Sequence, residues 1–248
     1  MINHLQVSQF NGFDIVGIPA FDDNYIWCMY DHEFAYVVDP GDASPVLEFL
    51  RQKPRKLAGI LITHHHYDHT NGIKQLLANY PNIPVYGPNN PTIDGITMVC
   101  TDGDHITLDK LPITFSIMHT PGHTLDHICF VNPQLLFCGD TLFSAGCGRM
   151  FEGSAAQFFN SLQKLAALPG GTAVFCTHEY TLANMTFAQH VEPNNHVLHE
   201  HFKACQTLRA SMRPTLPSEI SLENQINPFL HCQTVEEFAQ LRAQKDNF

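Results

Sequence analysis

The chain has 248 residues, 44% of them hydrophobic and only 15% charged, a composition that supports a packed core and argues against disorder. Its 24 acids against 13 bases leave a formal net charge of -11, which disfavours nucleic acid or an anionic membrane as the main partner, because both select a basic footprint. The opening residues MINHLQVSQFNGF carry neither a basic leader nor an apolar h-region, and no run of about 18 apolar residues occurs, so neither a signal peptide nor a membrane span is expected. The eight cysteines are scattered without a CxxC pair, as expected for reduced thiols in a cytoplasmic protein.

In chain order, NYIWCMY and FAYVVD flank the turn-like DHE and read as a hairpin. SPVLEFLRQK follows as a helix, with Ser44 as N-cap and Pro45 at its first position. LAGILIT is a continuous apolar run of strand length, expected to be buried on both faces. The segment THHHYDHTNG comes directly after it, on the loop leaving that strand, and IKQLLANY is helix-like. ITFSIMHT, HICFVN, QLLFCGD and TAVFCTHE read as four further strands, with the helix SAAQFFNSLQKLAAL, capped by Ser154, between the last two. Beyond residue 178 the pattern changes: TLANMTFAQH, NNHVLHEHFKACQTLRASM and TVEEFAQLRAQ are helix-like, separated by the proline-bearing RPTLPSE and INPF. The expectation is a mixed α/β domain over residues 1–178, two sheets packed together with helices outside, and a helical domain over 179–248.

Residues 64–69 hold four histidines and one aspartate. Imidazole and carboxylate demand partners when buried, and a metal satisfies them together. On an extended segment His64 and His66 point to one side, while His65 points away and takes no ligand role. Asp68 and His69 can face a second ion. Four ligands cannot close two sites, but His123 in HTPGHT, Asp140 in FCGDTLF and His178 in CTHEY each follow a predicted strand. The count then closes. His64, His66 and His123 would hold one ion, Asp68, His69 and His178 the other, and Asp140 would bridge them, with a shared hydroxide as nucleophile completing each sphere. Asp68 and Asp140 are on this expectation the catalytic carboxylates. Nitrogen and oxygen ligation suits zinc first, and also iron or manganese.

HHHYDH has the HxHxDH form of the metallo-β-lactamase superfamily, and HTPGHT, GDTLF and THEYT match its later ligand motifs. The chain more closely resembles the hydroxyacylglutathione hydrolase (glyoxalase II) family, through DNYIW (Asp23, Asn24, Tyr25), GDTLFSAGCGRMFEG, NPFL at 227–230 and LRAQKDNF at 241–248. The resemblance spans nearly the whole length. It implies an α+β fold, an αββα sandwich with a C-terminal α-helical domain that binds glutathione, and a binuclear metal centre. It implies Arg149, Tyr180, Arg242 and Lys245 as glutathione contacts. Some members have lysine where this chain has Arg149 and tyrosine where it has Phe151. Arginine keeps the charge but changes a point charge into a planar fork, and Phe151 cannot donate a hydroxyl hydrogen bond. The implied activity is hydrolysis of S-(2-hydroxyacyl)glutathione, chiefly S-D-lactoylglutathione, to glutathione and D-lactate, the second step of methylglyoxal detoxification, by a monomer that binds neither nucleic acid nor membrane.

Other polar clusters have plainer explanations. Arg242 and Lys245 share a helix face, where bases also suit a helix C-terminus. His196, His199 and His201 fit a wet helix face, since HVLHEH is not HExxH. Cys147 lacks an activating base, and Asp39 is a candidate partner for a ligand imidazole or a simple turn residue. Within enzymes the alternatives are another thioesterase of this fold, a persulfide dioxygenase, which would use one iron, and a β-lactamase, which would usually be secreted. A nuclease fits poorly with the charge. A catalytically silent metal-binding protein would hold metal and turn over no thioester.

Overall fold

In the computed structural model, which describes residues 6–248, the apolar runs of the N-terminal part lie side by side as one sheet. β1 (Val7–Phe10), β2 (Phe13–Ala20), β3 (Asn24–Tyr30) and β4 (Phe34–Val38) form an antiparallel meander. α1 (Ala43–Gln52) crosses over to β5 (Lys56–Leu61), which runs parallel to β4. α2 (Tyr67–Thr70) and α3 (Ile73–Asn79) lead on to β6 (Val85–Pro88) and β7 (Met98–Cys100), each parallel to the strand before it, so the seven strands keep chain order. The opening segment read for a leader begins with residues 1–5, which lie outside the described residues.

The core of this sheet forms where the pattern places it. α1 buries Ala43, Val46, Phe49 and Leu50 along one stripe, and these pack with Val16, Ile26, Val37 and Ile60 of the strands and with Ile73 and Leu76 of α3. Leu57, Ile60 and Leu61 of β5 are all buried, as the unbroken apolar run required. The cap of α1 is not Ser44. Asp42 starts the helix, accepting from the Ser44 backbone N–H at 2.8 Å, because its carboxylate satisfies an orphan donor of the first turn two residues later. β2 was not anticipated, since Gly17 and Pro19 interrupt it. β8 (His105–Thr107), β9 (Thr114–His119) and β10 (Ile128–Asn132) form an antiparallel set.

Packing divides the chain into two compact units, one running to His119 and including Ile128–Val131, the other formed by Thr120–His127 and Asn132–Phe248. In the second unit β11 (Leu135–Gly139) is followed by a short hairpin of β12 (Leu142–Phe143) and β13 (Gly146–Cys147). α4 (Ala155–Ala166), with Ser154 and Gln157 closing a capping box, leads to β14 (Ala173–Cys176), parallel to β11. Then come α5 (Thr181–Val191), α6 (His196–Ala210), β15 (Ser218–Glu219), which pairs with β14, α7 (Ile220–Ile226), α8 (Pro228–His231) and α9 (Val235–Asp246). Phe158 of α4 and Phe229 of α8 each meet the Phe238 ring of α9 edge-on, at 5.6 and 6.1 Å. This unit therefore begins before residue 178, because the late helices pack on α4 as well as on each other. No helix among the described residues is long and apolar enough to cross a membrane, and no disulfide links any of the eight cysteines, all of which are buried.

Candidate active site

In the first unit the parallel pair β4 and β5 brings two strand ends together, where side chains can converge beyond the sheet. Asp39 follows β4 in the left-handed region at φ 53, and its carboxylate accepts from the Thr63 N–H at 2.8 Å and the Thr63 hydroxyl at 2.7 Å. That hydroxyl has one proton and gives it to Asp39. It therefore accepts from His64 Nδ1, 3.0 Å away, which leaves the lone pair on His64 Nε2. His64 Nε2 faces His66 Nδ1 at 3.0 Å; two nitrogens bound tetrahedrally to one ion at ~2.0–2.1 Å lie about 3.3 Å apart. His69 Nδ1 lies 3.0 Å from Asp39 Oδ2, and its Nε2 lies 3.6 Å from Asp68 Oδ2. Asn24 donates to the same Asp68 oxygen at 3.0 Å. Gly41 is required here, because a Cβ on it would stand 1.8 Å from the Asp68 carbonyl oxygen.

The second unit repeats the device. Asp140 follows β11 and His178 follows its parallel neighbour β14, while His123 sits in the connection between β9 and β10. His123 Nε2 and His178 Nε2 flank one oxygen, Asp140 Oδ2, at 3.5 and 3.4 Å. Two imidazoles thus face a single carboxylate oxygen. His123 Nδ1 donates to the Arg149 carbonyl at 2.7 Å, a carbonyl being only an acceptor, so its Nε2 carries the lone pair. The Asp140 N–H donates to His127 Nε2 at 3.2 Å, and His127 Nδ1 meets the hydroxyls of Thr120 and Thr141 at 3.0 and 3.1 Å. His127 is buried, and it fixes the backbone of Asp140 as a neutral imidazole. Sequence reasoning passed over it, and over Thr63, because neither carries a motif.

The segment between Asp140 and Arg149 is held by side chains that come much later in the chain. Asn184 of α5 donates to the Ser144 carbonyl at 3.2 Å. Ala145, at φ 53, donates its N–H to Glu223 of α7 at 2.8 Å. Asn227 donates to the carbonyls of Phe143 and Gly146 at 3.1 and 2.9 Å. Arg242 of α9 donates through Nη1 to the carbonyls of Cys147 and Gly148 at 3.2 and 3.3 Å. Burial pushes the Glu223 carboxyl above the usual range, against the lowering effect of hydrogen bonds from Ser218, Ala145 and Asn227. NPFL pointed to position 227 without a role for it, and nothing in the sequence pointed to Asn184 or Glu223.

The residues expected to meet glutathione also lie in this unit. Arg149 is exposed, its Nε 3.5 Å from Asp246 Oδ1. The Tyr180 ring stacks on His178 with centroids 4.6 Å apart. Lys245 donates to the Ala183 carbonyl at 3.3 Å and lies over the Phe187 ring; burial, then the nearby Arg242, push its ammonium below the ordinary lysine value. Phe151 is exposed and meets His123 edge-on. Arg242 differs from the rest, being only 5% exposed. The Cys147 thiol is pushed up to about 11 by burial, against the lowering effect of Arg242, so it is a protonated, inert group at neutral pH. His199 is occupied by Gln189 and the Pro193 carbonyl, in keeping with a solvated helix face.

Residues 21–94 and 100–178 match the model of the metallo-β-lactamase superfamily, and residues 179–248 match that of the hydroxyacylglutathione hydrolase C-terminus. A hydroxyacylglutathione hydrolase from Pseudoalteromonas translucida is 50% identical over 256 residues, covering 94% of this chain and 99% of its own. The chain belongs to the hydroxyacylglutathione hydrolase family. Another member of that family, from Idiomarina loihiensis, is 53% identical over 215 residues, covering 86% of this chain and 84% of its own. Among solved structures, ETHE1 from Myxococcus xanthus superposes with a TM-score of 0.67 at 22% identity, covering 96% of this chain and 89% of that one. TTHA1623 in a di-iron-bound form gives 0.62 at 20%, covering 86% and 99%. The fold is thus the α+β metallo-β-lactamase fold with a C-terminal helical region, as the motifs implied. The buried histidines and aspartates, with lone pairs fixed by their outer partners, supply donors of the kind and number that a binuclear metal site takes.

Proposed function

We propose that the protein hydrolyses the thioester of S-(2-hydroxyacyl)glutathione, chiefly S-D-lactoylglutathione, releasing glutathione and D-lactate. The observation that carries this reading is direct contact between candidate metal donors and candidate glutathione-reading residues: His178 stacks on Tyr180, and His123 donates to the Arg149 carbonyl. A general metallohydrolase has no need of basic side chains there; glutathione carries two carboxylates that do.

On this reading His64, His66 and His123 hold one divalent ion, Asp68, His69 and His178 a second, and Asp140 bridges them. Zinc is the first choice for both, with iron or manganese as alternatives. Divalent ions held by these residues would supply Lewis acidity, activating water near neutral pH and polarising the thioester carbonyl. The protein's own contribution is orientation. Thr63 and the Arg149 carbonyl keep protons on the outer nitrogens of His64 and His123, the nearby Asp39 carboxylate does the same for His69, and His127 fixes Asp140. Arg149, Tyr180, Arg242 and Lys245 read the peptide, at about 1.5–3 kcal/mol for each charge-assisted bond that is partly buried. A thiolate leaves without a dedicated general acid. Residues 1–178 would supply the chemistry and residues 179–248 the glutathione specificity, in a cytoplasmic monomer with no nucleic-acid or membrane partner.

Metal analysis combined with turnover assays tests this. Two ions per chain and a clear preference for S-D-lactoylglutathione over acyl thioesters without glutathione are expected. Equal rates on both classes would overturn the substrate assignment, and one iron with oxygen consumption on a persulfide would favour a dioxygenase.

A further inference from the structure

We propose that Glu179 is a positioning residue for both His178 and Tyr180, acting through Thr215. The proposal rests on the reading of His178 as a metal donor and of Tyr180 as a glutathione contact. The four residues from His178 to Thr181 divide into alternate pairs. The rings of His178 and Tyr180 stack together, 5° from parallel. Glu179 and Thr181 both reach Thr215 instead, in the segment that joins α6 to β15. An extended backbone sends successive side chains to opposite sides, so a hold on the second pair sets the direction of the first.

The hold is built around a carboxylate taken out of water. The Glu179 side chain is only 6% exposed, and a charge so placed is costly unless it is paired and hydrogen-bonded. Its Oε2 accepts from the Thr215 N–H at 2.9 Å, its Oε1 accepts from the Thr215 hydroxyl, and Arg209 Nη1 lies 3.7 Å from Oε2. The same Arg209 nitrogen donates to the Arg213 carbonyl at 3.0 Å, so the turn after α6 is bound to the guanidinium and to the carboxylate together. The Thr215 hydroxyl also bonds the hydroxyl of Thr181 at 2.6 Å. Thr181 is buried and is the first residue of α5. One ladder of bonds, from Thr181 through Thr215 to Glu179, thus braces the backbone on both sides of Tyr180 and next to His178. A metal donor and a substrate reader share that brace, and its removal should disturb both at once.

The test compares Glu179→Ala, Glu179→Gln and Thr215→Val with the wild type, all as the full chain. Metal affinity is measured by chelator competition, and kcat and KM on lactoylglutathione and on an acyl thioester without glutathione. Glu179→Ala should weaken at least one ion by about tenfold, the lower end of the range for lost outer partners of a ligand histidine. It should lower kcat on both thioesters and raise KM on lactoylglutathione alone. Thr215→Val should move every quantity in the same direction. Glu179→Gln should restore near-wild-type values, because its oxygen can accept from the Thr215 N–H while its amide donates to the Thr215 hydroxyl. Asn195→Ala, which removes the cap of α6 in the same unit, is the destabilised control and should change neither metal affinity nor KM. If Glu179→Ala does not fold, Thr215→Val carries the test with the same expectations. A loss confined to stability, or to metal affinity with KM unchanged, would overturn the proposal in a wild type that binds metal and prefers lactoylglutathione. A wild type that binds no metal, or that treats both thioesters alike, would overturn the underlying reading and the proposal with it.

Discussion

Asn227 offers the sharpest test of how the loop after Asp140 is held. Its side chain is fully buried and meets four groups: the two amide hydrogens are shared among the carbonyls of Phe143 and Gly146 and Glu223 Oε2, 3.2 Å away, and the amide oxygen accepts from the Phe229 N–H at 3.1 Å. Asn227→Ala removes these contacts and leaves two buried carbonyls and one N–H without their partners. Each such group costs about 1–3 kcal/mol. Water entering the small space recovers part of this, so a loss of about 3–4 kcal/mol is expected, a large share of a domain stability of ~5–15 kcal/mol. Equilibrium urea unfolding followed by far-ultraviolet circular dichroism measures it. Asn227→Asp separates donation from shape: the carboxylate still accepts from Phe229 but cannot donate to the carbonyls, and it faces Glu223. Its cost at neutral pH should match or exceed that of alanine and shrink as the pH falls and one of the two carboxyls takes up a proton. A loss below about 1 kcal/mol for Asn227→Ala would refute the view that this side chain holds the hairpin.

Glu223 has its pKa raised by burial, so the folded state binds the proton more tightly and stability declines as pH rises above the unfolded value of about 4.3. Glu223→Gln should flatten that decline, because its oxygen can accept from Ala145 and Asn227 while its amide donates to the Ser218 hydroxyl; an unchanged slope of stability against pH would count against it. His231 is raised above the ordinary imidazole value by Glu192, 2.6 Å away. That stabilisation is complete below about pH 6.5 and lost as pH rises through the folded pKa. His231→Gln should therefore destabilise at about pH 5.5 and be neutral near pH 9, and equal cost at both would exclude an ionic origin. For the chemistry, Cys147→Ser should keep most of the turnover and Asp68→Ala should lose most of it; steady-state rates in the reverse order would make the thiol the nucleophile.

The candidate donors were legible because each follows a strong strand signal and belongs to a compact motif: LAGILIT before THHHYDH, QLLFCGD around Asp140, TAVFCTHE around His178. Periodicity placed α4, α5, α6 and α9. It could not find β2, where Gly17 and Pro19 interrupt the run, nor α8, whose four residues contain a proline at the first turn. Of the two expected caps, Ser154 closes its helix as the sequence indicates, whereas α1 is capped by Asp42 and not by Ser44. The outer partners were hidden for a different reason. Thr63, His127, Asn184 and Glu223 act through side-chain bonds whose partners, at Asp39, Asp140, Ser144 and Ala145, stand at no regular spacing from them, so no pattern was there to read. Arg242 shows the limit most clearly: its position on the helix was apparent, but which way its guanidinium points is set by the carbonyls of Cys147 and Gly148.

The hairpin at β12 and β13 also bears on how the polypeptide is made. Every candidate metal donor, from His64 to His178, is translated before the residues that fasten residues 143–148. Chains emerge from the ribosome N-terminus first, so this segment gains its anchors at 184, 223 and 227 one after another and the last of them, at 242, only when the final helix has been synthesised. A stop codon shortly before Asn184 would yield a product with a complete donor set and none of the four side chains that fasten the loop between Asp140 and Arg149. Selection against such truncations would then act on a part of the gene that encodes no metal ligand at all.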